Sequence, residues 1–329
     1  MRPPNPMNHI RKMIPTKKNS PSSSYKTTGI PSNENAIRFE TYRYYIKCFV
    51  EVINTLYPSD GELIAEINQR TKHLQGFKRY DRDWVARFLK NAWNTEFVLN
   101  FNLVDDPEIA RINNQWLPIQ TYYSVYSGGE AVAYLLDGNK AGSHRACLRK
   151  LNNFLVNLGV MPWNLMYTGP IGKKSNEHKP KNFPSSIIVP SNLARRGITP
   201  IQMVCKCLKA EHKKRVHDEF QKKKGNFKYR FNPGYTSLLN FLYRLRIKSN
   251  YEDIDVFLIQ APDYLIMEFG KNMAFLGYKT LILCEIITMK KIGKSDFISI
   301  VDEYLKLNPK ASALLTRKRL YSSIKQSSP

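Results

Sequence analysis

Helical periodicity runs through almost the whole chain and restricts its fold more than any other feature. From Phe39 to Leu56, the residues Phe39, Tyr42, Ile46, Phe49, Val50 and Ile53 recur at spacings of three and four, which places them on one face of a helix. Pro58-Ser-Asp-Gly61 ends that run with turn chemistry. A second helix follows over Glu62 to Lys72, and Asp81-Arg-Asp-Trp84 opens a third, its early acids suiting the helix dipole. Asp105-Asp-Pro107 begins a short fourth piece. Further runs cover Gln120 to Leu136, Ser143 to Leu158 (with Ser143 as cap), Thr199 to about Lys224, Thr236 to Ser249, Asp253 to Leu258, Pro262 to Met289, Ser295 to Leu307 and Pro309 to Arg319. There is no internal repeat and no sustained heptad pattern. These features predict an all-α helical bundle.

Two segments fall outside this pattern. Residues Met1 to about Asn35 are rich in Pro, Ser, Lys and Asn, with no acid before Glu34. Such a segment buries too little apolar surface to offset its ordering entropy, and it reads as a disordered basic arm, 1–35. It either tracks a phosphate backbone or is a solvated tail without a role. Residues Met161 to Arg196 are irregular, with several prolines and Gly169-Pro170; only Ser186-Ile-Ile-Val189 reads as a strand. The expected organisation is the arm, an additional N-terminal helical region at 36–118, and a helical domain at 119–329 interrupted by an insertion at about 160–197.

Charge narrows the function. The chain carries 51 Lys and Arg against 27 Asp and Glu, a formal charge of +24. A compact body so charged repels itself unless an anion is near, and phosphate backbones are the commonest polyanions in a cell. An anionic membrane surface and a merely Lys-rich composition are the alternatives. Clustering of the cations favours nucleic acid. The densest stretch runs from Lys206 to Lys224. Lys206, Lys209, Lys213 and Lys214 lie along one side of its helix, followed by Arg215, Lys222, Lys223 and Lys224, then Lys228 and Arg230. Glu211, Asp218 and Glu219 partly neutralise it, so a solvated Lys-rich helix is the competing reading. Phe227, Tyr229 and Phe231 alternate with Lys228 and Arg230. They either stack on unpaired bases or form a short strand with its rings in the core, and the second reading is favoured.

No stretch reaches the ~20 apolar residues of a membrane span. The most apolar run, Tyr278 to Met289, contains Lys279 and Glu285 and reads as a buried helix; no membrane partner is expected. Cys48, Cys147, Cys205, Cys207 and Cys284 are an odd and scattered set, which points to reduced thiols in a cytoplasm. Metal-ligand spacing is missing: His212 and His217 are five apart, and Cys205 and Cys207 diverge on a helix. Gly169-Pro-Ile-Gly-Lys-Lys-Ser175 has the wrong spacing for a phosphate loop. Asp81 with Asp83, and Glu252-Asp-Ile-Asp255, read as helix-start acids. No cofactor is expected.

Tyr122-Tyr-Ser-Val-Tyr-Ser-Gly-Gly-Glu-Ala131, Tyr134-Leu-Leu-Asp-Gly138 and Ser143-His-Arg-Ala-Cys-Leu148 with Phe154 together resemble the central helix pair of HEPN (higher eukaryotes and prokaryotes nucleotide-binding) domains. Leu242-Tyr-Arg-Leu-Arg-Ile-Lys-Ser-Asn-Tyr-Glu-Asp253 is similar to the segment of their final helices that carries Arg and a following Tyr. The resemblance covers about residues 120–158 and 235–290. It implies a helical bundle that often dimerises, in a defence, mobile-element or toxin–antitoxin setting. In many members Arg and His act together as a metal-independent ribonuclease, with His as acid and base and Arg stabilising charge on phosphorus. Here Arg244 and Arg246 are present, but Asn250, before Tyr251, stands at the expected His position. An amide positions a phosphate but takes up no proton. His144, in the helix-opening position, is expected to be structural unless the fold recruits it to the arginines. The expectation is therefore a nucleic-acid-binding protein without an intact nuclease centre. The alternatives are a divergent ribonuclease and an assembly protein for an acidic partner.

Overall fold

The computed structural model describes residues 33–74, 76–77, 79–101, 106–169, 179–184, 198–222, 234–258 and 261–309. Within them the chain is mostly helical, as its periodicity predicts. The helices are α1 (Asn33–Leu56), α2 (Asp60–Thr71), α3 (Arg82–Phe101), α4 (Pro107–Asn113), α5 (Leu117–Asp137), α6 (His144–Leu158), α7 (Pro200–Lys222), α8 (Leu238–Ile247), α9 (Ile254–Phe257), α10 (Asp263–Ile292) and α11 (Lys294–Leu307). A π-helical turn, Lys248–Glu252, joins α8 to α9. Part of the region expected to be irregular forms an antiparallel pair, β1 (Met166–Thr168) with β2 (Lys179–Lys181). The expected strand Ser186–Val189 lies outside the described residues, as do nearly all of the arm and of the expected helix Pro309–Arg319.

Local chemistry sets most of the boundaries. Ser59 and Glu62 form a reciprocal capping box at α2, and Ser237 and Asn240 do the same at α8, satisfying N–H groups that a helix start leaves unpaired. Asp106 caps α4 ahead of Pro107. Gly138, in the left-handed region at φ 77°, ends α5. Its N–H returns to the Tyr134 carbonyl at 2.8 Å, a conformation that costs glycine least.

At the centre lies α5, buried over most of its length between α3 and α10, with α6 and α8 also against it. One apolar cluster runs from Phe39 on α1 to Tyr304 on α11, so the N-terminal helices share a core with the rest of the described chain. By length and composition α10 would suffice to cross a membrane, but 78 % of its apolar window is buried inside the protein. Trp93 Nε1–H donates to Glu285 at 2.6 Å and Trp163 Nε1–H to Thr280 Oγ1 at 2.9 Å, which satisfies two indoles in the core.

Gly128 and Gly129 allow α5 to approach its neighbours closely. A Cβ at Gly128 would fall 2.7 Å from Leu281 Cδ1 and 3.2 Å from Cys284 Cβ, whereas one at Gly129 would meet only the Leu151 side chain. Cys284 Cβ is fixed to its backbone and yields less than a leucine tip. Gly128→Ala is therefore expected to lower stability by about 1–2 kcal/mol in urea titration, with overpacking outweighing the helix-propensity gain. Gly129→Ala should shift it by less than about 1 kcal/mol.

A candidate anion cleft and the aromatic cluster beside it

Three helices converge on a cleft of about 400 Å³. Ser143, Arg145 and Arg149 come from the start of α6. Glu211, Arg215 and Asp218 come from α7, at offsets of zero, four and seven that share one helix face. Asn240, Tyr243, Arg244 and Ile247 come from α8 at offsets of zero, three, four and seven. A two-way bridge between Tyr167 and Thr236, with N–H···O distances of 2.9 and 2.8 Å, holds Tyr235 at the wall.

The cations differ in how firmly they are held. Arg215 Nη1–H donates to the Tyr235 carbonyl at 2.9 Å and to Thr236 Oγ1 at 2.7 Å. Arg244 bonds Glu252 at 2.7 Å and Asp218 at 3.4 Å, because the π turn folds Glu252 back over α8; its Nε is buried without a partner. Arg145 and Arg149 are exposed. Burial pushes the Glu211 carboxyl up to about 8, although Arg244, Arg215, Lys214 and Lys248 all favour its charged form. Near pH 7 this acid is mostly neutral, and the four guanidinium groups that line the cleft are opposed by the carboxylate of Asp218 and, at Arg244, by that of Glu252.

Beside the cleft, sharing Tyr243 with it, lies a cluster of rings. His144 stacks on Tyr126 with centroids 4.1 Å apart, and its Nδ1 is 2.7 Å from the Tyr122 hydroxyl. The Arg246 guanidinium lies 5.2 to 5.6 Å from the ring centres of Tyr122, Tyr123 and Tyr243. It donates to the Tyr123 hydroxyl at 3.1 Å. Burial, and after it the charge of Arg246, lowers the His144 pKa from 6.5, with Glu130 opposing. The α5–α6 hairpin thus brings together His144 and Arg246, which lie far apart in sequence.

The other sequence candidates are dispersed. Arg244 faces the cleft while Arg246 enters the ring cluster. Asn250 is half-buried on the π turn and Tyr251 is 68 % exposed. Lys206, Lys209 and Lys213 form the expected exposed line, but Lys214 turns toward Glu252 at 3.7 Å and Arg215 into the cleft. Lys222 ends α7, and Lys223, Lys224, Lys228 and Arg230 lie outside the described residues with Phe227, Tyr229 and Phe231. His212 is fully buried, with Nδ1 2.9 Å from Thr236 Oγ1 and Nε2 3.3 Å from the Gly169 carbonyl, a structural use of the ring. Asp253 bonds Arg38, Tyr42 and Lys248. Among the described residues no group of three or more His, Cys, Asp or Glu is arranged to hold a metal ion. Sequence reasoning passed over Arg145 and Arg149, although their spacing of four behind a capping serine was visible. It also read Glu211 as a solvated neutraliser.

Much of the formal charge lies elsewhere. Of 51 Lys and Arg and 27 Asp and Glu, 20 and 2 respectively fall outside the described residues, leaving 31 against 25. Many of the cations that remain are paired, among them Arg38, Arg43, Lys47, Lys90, Lys248 and Lys279.

No protein-family model, curated protein or solved structure matches the chain.

Glu211 makes a prediction about stability. Its folded pKa lies above the ordinary 4.5, so between about 4.5 and 8 the folded state binds more protons than the unfolded state. Stability from this group is present below 4.5 and is lost as pH rises through about 8. Urea midpoints of wild type and Glu211→Gln should diverge from pH 5 to 9, with wild type losing on the order of 2 kcal/mol or more relative to the variant.

Proposed function

We propose that this chain is a HEPN-like nucleic-acid-binding protein that grips the phosphate backbone in the arginine cleft. The observation that carries the reading is the convergence of Arg145, Arg149, Arg215 and Arg244 from three helices on one cleft whose buried acid is mostly neutral near pH 7. Arginine suits phosphate because its planar fork makes paired hydrogen bonds. Two of the four are pre-oriented by bonds to their surroundings, and two are exposed. The exposed line of Lys206, Lys209 and Lys213 extends the positive surface along α7, and the half-buried rings of Tyr123, Tyr126 and Tyr243 offer faces for unpaired bases. Also supporting the reading is the sequence resemblance, whose motif residues fall on α5, α6 and α8, three of the four helices that build the cleft and the ring cluster.

Charge reversal of two exposed cations tests this directly. In fluorescence anisotropy with a labelled single strand at low salt, Arg145→Glu with Arg149→Glu should weaken binding at least tenfold. It should also reduce the slope of log affinity against log salt by about one to two. Unchanged affinity and slope would sink the reading.

One observation favours a second reading, a metal-independent ribonuclease: His144 and Arg246 share the ring cluster, a ring able to exchange a proton beside a fixed positive charge. With its pKa below 6.5, His144 is neutral at pH 7 and suited to accept a proton. On this reading, labelled RNA is cut in EDTA, and His144→Ala and Arg246→Ala each slow cleavage by about 10²-fold or more. Cleavage that survives either substitution, or none by wild type, excludes this route.

A further inference from the structure

Exposed apolar side chains gather at one corner of the fold. Of the eight large hydrophobic residues that are exposed among the described residues, four lie where α4, α9 and α10 meet. These are Ile112, Trp116, Leu258 and Tyr264, at 48 to 70 % exposure. Asn114 Nδ2–H donates to the Phe257 carbonyl at 2.6 Å, tying the segment that carries Trp116 to the one that carries Leu258. Arg111 pairs with Asp263 at 2.5 Å, which joins the neighbours of Ile112 and Tyr264. Exposed apolar residues scattered singly need no explanation, whereas a gathered set marks an interaction surface. Its rim is acidic. Glu108 lies four positions before Ile112 on the outer face of α4, and Asp255 three before Leu258. Both are exposed, and neither joins an ion pair among the described residues. The cations at this corner, Arg38 and Arg111, are paired with Asp253 and Asp263.

The same corner is where the N-terminal arm joins the bundle. α1 starts at Asn33, and its first turns reach α9: Arg38 bonds Asp253 at 2.5 Å, and Phe39 meets Phe257 edge-on with centroids 6.5 Å apart. The chain before Asn33, which lies outside the described residues, carries Met7, Ile10 and Ile14 at spacings of three and four. That is the pattern by which a short segment offers apolar anchors to a hydrophobic groove. Arg11, Lys12, Lys17 and Lys18 accompany them, and no acid precedes Glu34, so the arm and the rim are opposite in charge. Reach is sufficient. Extended, the chain from Ile14 to Asn33 spans at most about 60 Å, several times the ~10 Å between packed helices. We propose that residues 7–14 of the same molecule dock on the corner formed by Ile112, Trp116, Leu258 and Tyr264, with the arm's lysines facing Glu108 and Asp255. Tethering supports this, because a covalent link raises the effective concentration of a weakly binding segment to about millimolar. Docking is a third use for the arm, beside phosphate tracking and idle solvation, and it does not depend on the phosphate-binding reading.

Zero-length cross-linking of the full chain with a carbodiimide tests the assignment, with peptide mass spectrometry of the monomer band from a denaturing gel. Wild type should give links from Lys12, Lys17 or Lys18 to Glu108 or Asp255. Met7→Ser with Ile10→Ser and Ile14→Ser, which alter no residue of the described core, should cut the yield of those links by about fivefold or more. Leu258→Ser should do the same from the other side, with circular dichroism confirming that the helices are kept. If Leu258→Ser unfolds the protein, the arm substitutions decide alone. Absence of the links in wild type, or links that survive the triple substitution, overturn the assignment. So do links confined to a covalent dimer band, since the corner then takes the arm of a second copy.

Discussion

The close contact of α5 with its neighbours at Gly128 and Gly129 is the constraint on which the site depends. Without side chains there, α5 settles against Leu281 and Cys284 of α10 on one side and Leu151 of α6 on the other. Gly138 then ends α5 in the left-handed region and Ser143 caps α6, so α6 folds back along α5. That return puts His144 among Tyr122, Tyr123 and Tyr126 and sets Arg145 and Arg149 at the mouth of the cleft. Bulk at either glycine acts on the ring cluster and the cleft through helix position, not through contact with a ligand. This is how packing far from any chemistry fixes the geometry of a site.

The helices were legible because their signals are local. Spacings of three and four, capping serines and turn residues act within a few positions, and they located α5, α6, α8 and α10 to within a few residues. The short β pair was not legible, since Met166–Thr168 and Lys179–Lys181 lack the alternation of a half-buried strand and Pro180 sits within one of them. The site was legible only in part. Arg246 and His144 were singled out separately, but their meeting depends on tertiary folding across about a hundred positions. Glu211 shows the limit most clearly. Within a run of lysines an acid reads as a solvated counter-charge. Whether it faces water or the interior is decided by how α7 packs against α1 and α8, and local sequence does not state that.

Charge was legible in amount but not in place. The total of +24 suggests a uniformly basic surface, yet several carboxylates of the described residues each sit between two cations that would otherwise repel one another. Glu268 holds both Arg43 and Lys47, Glu303 holds Arg82 and Lys90, and Asp253 holds Arg38 and Lys248. The more exposed of these, Glu303 with Arg82 and Lys90, add little stability, and their main effect is to cancel field. Among the described residues, positive charge is therefore concentrated along the outer face of α7 and in the cleft. A long-range field from all 51 basic residues would be weakened everywhere by salt, whereas guanidinium groups fixed within a cleft keep direct contacts that screening affects less.

The same bookkeeping explains why a glutamate belongs in a cationic cleft at all. Four guanidinium groups in a partly desolvated space repel one another, and the carboxylates of Asp218 and Glu252 relieve that by pairing with Arg244; a further charged acid would cancel more of the positive field. Glu211, which burial keeps largely protonated near pH 7, leaves that field intact. It takes on negative charge as pH rises through about 8 and then offsets part of the arginines' field. Arg244 and Arg215 do not collapse onto it because each is already bonded, one to Asp218 and Glu252, the other to the Tyr235 and Thr236 wall. The acid is thus held near its cations without pairing with them, an arrangement that hydrophobic packing of α7 imposes and that electrostatics alone would not choose.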